Sequence, residues 1–181
     1  MNLDQINRFI MRLTEVNGEY FRVESPQELP TMLSQFLKDN KLTSLAISKG
    51  LFSAEAKQII LAQAEITINF DDEDTLSRAE VVNLVGQADV GISEAYGLIA
   101  DTGTVVLRSQ FIGDRLCSTL PEVNVIVWDG KVMYENSADF YKDIRSDLTY
   151  TLITGPSRTA DIEKTLVLGA HGPRRLIVFG R

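Results

Sequence analysis

Gly155-Pro-Ser-Arg-Thr-Ala-Asp-Ile-Glu-Lys-Thr-Leu-Val-Leu-Gly-Ala-His-Gly-Pro-Arg-Arg-Leu176 crowds turn, cap and charge chemistry into 22 residues. The apolar run Tyr150 to Ile153 ahead of it reads as a strand, and Gly155-Pro156 breaks that strand. Ser157 or Thr159 can cap a following helix, whose positive start suits Asp161 and Glu163. Ile162, Leu166 and Gly169 line one helical face. Gly172-Pro173 ends the helix before a second strand, Leu176 to Phe179. A strand, loop, helix, strand unit of this kind predicts an α/β fold with a mostly parallel sheet flanked by helices.

The same alternation extends outward in both directions. Between Asp89 and Arg108 the apolar residues Val90, Ile92, Leu98, Ile99 and Val105 to Leu107 are punctuated by Gly91, Gly97 and Gly103, which predicts a glycine-interrupted hairpin. Val123 to Trp128 reads as a buried strand, Asp129-Gly130 as a turn, and Ser137 to Ile144 as a helix with Phe140 and Ile144 on one side. Nearer the N-terminus, Leu45 to Ser48 and Ile66 to Asn69 read as short strands separated by an Ala-rich helix from Ser53 to about Ala62. Ser25-Pro26-x-Glu28 reads as a capping box ahead of the stripe Leu29, Leu33, Phe36 and Leu37, within which Pro30 is expected to cost one backbone bond. Ser77 and Glu80, with Leu76 and Val81 as a staple, form a second capping box. Residues 1–16 place Leu3, Ile6, Ile10 and Leu13 on one face of an amphipathic helix rather than in a signal peptide. With no internal repeat and no low-complexity linker, residues 1–181 are expected to form a single domain.

Composition narrows the function. A net charge of -7 and a pI near 4.8 argue against nucleic acid as a partner, because phosphate-backbone binding needs a clustered basic surface. No apolar run approaches the roughly 18 residues of a membrane span, so the cytoplasm is the expected compartment. Cys117 is the only cysteine and His171 the only histidine. The chain by itself therefore provides neither the four thiolates typical of an iron-sulfur cluster nor a multi-histidine metal site.

Several residues invite chemistry. Ser157, Arg158 and Thr159, between a strand and a helix start, suit an anion, a carboxylate or phosphate, at the sheet's carboxyl edge. The simpler use of the same residues is helix capping by Ser157 or Thr159, with Arg158 paired to Asp161 or another surface acid. Asp101-Thr102-Gly103 matches the aspartic-protease tripeptide, but that chemistry needs two carboxylates sharing a proton, and one copy is present. A hairpin turn that needs glycine at positive φ accounts for it. His171 suits either proton transfer or a bond to a last-turn carbonyl at a helix C-terminus. Cys117, flanked by Leu116 and Ser118, reads as a small buried residue.

The run Gly155 to Glu163 leading to Gly169-Ala-His-Gly-Pro173 closely resembles the C-terminal signature of the LUD-domain family, in its lactate-utilization branch. Asp101 to Leu107 is similar to that family's acid-Thr-Gly-Thr hairpin, and Leu116 to Pro121 to the segment that follows it. The resemblance carries motifs over roughly residues 74 to 181, and it implies a sugar-isomerase and CoA-transferase-like α/β fold. It also implies a subunit of an iron-sulfur-dependent system that oxidises L-lactate to pyruvate, with no cofactor in this chain and the iron-sulfur clusters on partner proteins. If CoA-transferase-like chemistry were kept, Glu94 would be the acid, base or acyl acceptor; a solvated turn glutamate is the plainer account. The alternative is a stand-alone enzyme or sensor for a small carboxylate or phosphorylated ligand, with Glu94 or Asp101 contributing chemistry.

Overall fold

The computed structural model describes residues 3–48, 51, 53–62, 64–69, 77–109, 112–160, 166–168 and 172–181. Its centre is a six-stranded sheet built from β1 (Glu19–Arg22), β2 (Ser44–Ile47), β3 (Ile66–Asn69), β4 (Val90–Glu94), β7 (Val123–Trp128) and β12 (Arg175–Gly180). The order is β1-β12-β7-β4-β2-β3, and every pairing is parallel. Strands buried on both faces read as continuous apolar runs, which is why Val123 to Trp128 is legible as buried throughout.

Period-two alternation assigns the two faces. Leu45, Ile47, Val90, Ile92, Val125, Val127, Ile177 and Phe179 meet α2 (Leu29–Asp39) and α3 (Ala54–Leu61) through Leu33, Leu37 and Ile60. On the opposite face, Ala46 packs with Val81 and Val85 of α4 (Arg78–Gly86) and with Cys117 of α5 (Ile112–Cys117). Helix α5 lies so close that a Cβ on Gly91 would come within 1.7 Å of the Cys117 carbonyl oxygen. Ile126, Trp128, Leu176 and Val178 on that face are covered by Ile6, Phe9 and Leu13 of α1 (Leu3–Glu15).

The same face also carries a four-stranded sheet, β8-β5-β6-β9, made of β5 (Gly97–Ile99), β6 (Thr104–Ser109), β8 (Met133–Tyr134) and β9 (Thr149–Ile153). Leu98, Val105 and Leu107 face the main sheet, whereas Ile99 and Val106 face Phe140 of α6 (Ser137–Lys142). The hairpin expected around Gly103 is present: β5 pairs antiparallel with β6, and Gly103 takes φ +65° against the backbone of Leu13.

Four local expectations are corrected. The residues after Ser157 form no helix where they are described: Arg158–Ala160 is β10 and pairs antiparallel with β11 (Leu166–Leu168). Thr159 opposite Val167 sets two β-branched residues against each other, an arrangement that favours extended backbone. Asp161, Ile162, Glu163, Gly169 and His171 lie outside the described residues, as does the Leu76 half of the staple. Helix α2 begins one turn later than the Ser25 box implies, with Glu28 at its N-cap and no side-chain cap bond. Pro30 then falls in the first turn, where an N–H has no intrahelical acceptor, so it costs no bond. Helix α6 stops at Lys142, and Ile144 is exposed rather than packed beside Phe140. The Ser77–Glu80 capping box forms with both reciprocal bonds.

A polar crevice at the topological switch point

In an open parallel sheet the chain leaves neighbouring strands toward opposite faces at one place, and a crevice opens there beyond the carboxyl ends. Here that place lies between β2 and β4, which are hydrogen-bonded neighbours. The chain leaves β2 for α3 on the first face, and leaves β4 for β5, whose Leu98 belongs to the core of the second. A crevice of about 330 Å³ occupies this position, lined by Ser48, Ser93, Glu94, Arg108, Asp129 and Lys131 among others.

Each of these side chains is placed by its strand. Ser48 follows β2, and its backbone N–H donates to Ile92 O at 3.0 Å, extending the ladder by one residue. Its hydroxyl donates to Ser93 Oγ at 3.2 Å, so two buried hydroxyls bridge the ends of β2 and β4. Glu94 is the last residue of β4. Asp129 follows β7, and its carboxylate accepts both the Lys131 backbone N–H at 2.9 Å and the Lys131 ammonium at 2.5 Å. Arg108, near the end of β6, lies over the Tyr96 ring at 4.7 Å. That ring is fixed by the bond from its hydroxyl to Asp143 at 3.0 Å and by an edge contact with Tyr150. Arg108 makes no ion pair among the described residues, so a pre-oriented guanidinium faces the crevice.

The electrostatics follow from this placement. Burial pushes the Glu94 carboxyl above its ordinary range, the Asp129 charge adds to that, and Lys131 and Arg108 partly offset both. Burial acts on Asp129 in the same sense, but the Lys131 ammonium and backbone N–H outweigh it and hold Asp129 below its ordinary value. The two neighbouring carboxyl groups are thus shifted in opposite directions, Glu94 upward and Asp129 downward. With Arg108 alongside, the arrangement is able to bind an anion and to exchange a proton with it.

Glu94 therefore lies in the crevice; Asp101, Ser157 and Cys117 do not. Asp101 is exposed in the β5–β6 turn, at the opposite, amino-terminal end of the main sheet, where its N–H donates to Glu135 O at 3.2 Å. Ser157 is at that same end, its N–H taken by Pro173 O at 2.8 Å just before β12 begins. The loop is thus not at the carboxyl edge, and the described residues that follow it, Arg158–Ala160, are strand. The side chains of Arg158 and Thr159, and all of His171, lie outside what the structure describes. Cys117 is fully buried, as its apolar neighbours suggest. Ser48, Ser93, Arg108 and Lys131 carry no motif, and only their place just before or beyond strand ends could have marked them. Among the described residues no group of three His, Cys, Asp or Glu side chains is arranged to hold a metal ion, and no helix is long and apolar enough to cross a membrane.

A crystal structure of a DUF162 family protein from Deinococcus radiodurans superposes with a TM-score of 0.65 at 22% identity, covering 98% of this chain and 96% of that one, and so shares its fold. Lactate utilization protein C of Oceanobacillus iheyensis is 27% identical over 184 residues, 94% of this chain and 77% of that protein. Its Bacillus subtilis namesake is 33% identical over 109 residues, 56% of this chain and 43% of that protein. An uncharacterized protein of Neisseria meningitidis serogroup B is 40% identical over 96 residues, 50% of this chain and 41% of that protein. The chain thus spans from 41% to 77% of the length of these three relatives. The LUD domain model matches residues 6–179, from α1 through β12, and the chain belongs to the LUD domain family.

Proposed function

We propose that this chain serves lactate utilization as a subunit of a system that oxidises L-lactate to pyruvate, holding the small carboxylate in the switch-point crevice. The observation that carries the reading is that one crevice is lined by an Arg108 stacked on Tyr96 with no ion pair among the described residues, by Glu94, whose carboxyl is raised above its ordinary range, and by the Ser48–Ser93 hydroxyls. A guanidinium suits a carboxylate, and a carboxyl with a raised pKa suits proton exchange with the neighbouring hydroxyl. The relatives named Lactate utilization protein C supply the pathway.

Converting a 2-hydroxy acid to a 2-oxo acid releases two protons and two electrons. Glu94 is placed to accept the hydroxyl proton, while the electrons need a redox centre. One cysteine and one histidine cannot ligate a four-thiolate cluster, so we assign the iron-sulfur clusters to partner proteins and an accessory role to this chain. We further assign it to the cytoplasm, as one LUD-like domain over residues 1–181. Deleting the gene, in a cell without a redundant lactate dehydrogenase, is expected to impair growth on L-lactate and to leave growth on pyruvate intact. Wild type should restore growth and a folded Arg108→Ala should not. Normal lactate growth in the deletion strain would overturn the pathway assignment.

The crevice gathers a guanidinium, a carboxyl group and two hydroxyls, which also suits a second reading, a stand-alone enzyme or sensor of a small carboxylate or phosphorylated ligand. Stabilisation of the isolated protein by such a ligand, lost in Arg108→Ala, would support it. Anion binding by Ser157, Arg158 and Thr159 is a separate proposal resting on the family sequence. It predicts that phosphate raises the melting temperature of wild type but not of Arg158→Ala.

A further inference from the structure

On the first face of the main sheet, a second hollow of about 370 Å³ opens at the same carboxyl edge. Val127 and Phe179 line its floor, and Val23, Leu29 and Leu51 its walls. Arg181 also borders it, and apart from that residue and the charged rim shared with the crevice its lining is apolar, where the crevice on the other face is polar. The two are continuous in their lining, because Glu94, Asp129 and Lys131 border both. They meet over the ends of β4 and β7. A three-carbon acid fills only about 100 Å³, three to four times the share of a water molecule in the liquid. Lactate alone would leave the apolar hollow empty.

We propose that the site takes 2-hydroxy or 2-oxo carboxylates with a bulky apolar side chain, the carboxylate at Arg108 and the side chain across the sheet edge against Leu29, Val127 and Phe179. The proposal rests on the reading of the polar crevice as a carboxylate site and extends it to the class of acid bound. The separation of chemistry supports this extension: Arg108 and both serine hydroxyls line only the polar side, and the aliphatic groups of α2 and β7 only the apolar side. At the rim between them Asp129 and Lys131 pair with each other, so neither presents an unpaired charge to a group lying across it.

Isothermal titration calorimetry of the full chain with L-lactate and L-3-phenyllactate tests it. Phenyllactate is expected to bind about tenfold tighter or better, through burial of its ring. Leu29→Trp, which fills the hollow, should remove that advantage and leave lactate binding as it was. Leu51→Phe, from another wall, should act in the same direction and guards against a folding defect in the first variant, with melting temperatures checked for both. Arg108→Gln should weaken both acids alike. Equal affinity for the two acids in wild type, or a filled hollow that weakens both equally, would overturn the bulky-acid proposal and leave the small-carboxylate reading standing. If wild type binds neither acid, the carboxylate reading itself falls and the proposal with it.

Discussion

Glu94 is held where burial and the Asp129 carboxylate both oppose its ionisation, with Lys131 and Arg108 pulling the other way. A carboxyl group raised above its unfolded value binds its proton more tightly in the fold. Its favourable contribution is therefore complete below the unfolded pKa and is lost as pH rises through the folded one, so at neutral pH the ionised group opposes folding. Glu94→Gln is accordingly expected to raise the melting temperature at pH 7 by no more than about 3 °C, given solvent screening, and to leave it unchanged near pH 3.5. Calorimetric melts at the two pH values check this; an equal gain at both would assign the effect to packing rather than titration. The same residue shows how far sequence reaches. A glutamate closing an apolar strand is visible as a candidate, but its partners are not. Ser48, Arg108 and Lys131 come from three other stretches: the parallel pairing of β2, β4 and β7 brings the first and last beside Glu94, and the antiparallel pairing of β5 with β6 brings Arg108. The same limit applies to Asp101 and Ser157, since a motif does not say at which end of a sheet it will stand.

At the scale of elements, two Ser-x-x-Glu signals meet different fates. Ser77 accepts from the Glu80 N–H, and the Glu80 carboxylate accepts from the Ser77 N–H, closing both halves of the box. Ser25 instead opens a turn in which its carbonyl accepts the Glu28 N–H, and α2 begins after it. Ser77→Ala is expected to destabilise the protein by about 1 kcal/mol and Ser25→Ala by only a few tenths, measured by denaturant melts. Comparable losses at both positions would mean that Ser25 caps in solution after all. Boundaries set by local chemistry were thus legible at α3, α4 and β7. The β10–β11 hairpin was not, because acidic residues, a capping serine and a three-to-four spacing of Ile162 and Leu166 mimic a helix. What decides that stretch is contact with distant chain, such as the bond from Ser157 to Pro173.

Across the whole molecule, α1, the main sheet and the smaller sheet share one cluster around Phe9, Leu98, Leu107 and Trp128. Neither sheet keeps a complete core without the other, so the two are expected to unfold together. Trp128 is the only tryptophan and is fully buried in that shared cluster, which makes its emission a reporter of the joint. Thermal curves from tryptophan emission and from far-ultraviolet dichroism should coincide; an earlier emission transition would mean that the smaller sheet detaches first. The mostly parallel architecture was legible from alternation alone, whereas the strand order was not, because no local residue records that β1 lies beside β12. That neighbour relation has a consequence for synthesis. Glu19 in β1 and Arg175 in β12 clasp one another from 156 residues apart, and β12 is the one strand to which β1 is hydrogen-bonded among the described residues. During translation β1 leaves the ribosome long before its partner exists, and it must wait as an unpaired strand until nearly all of residues 1–181 have followed. Closure of the sheet is therefore a late event, and for most of the time the nascent chain is exposed, protecting this waiting strand falls to whatever the cell provides to hold it.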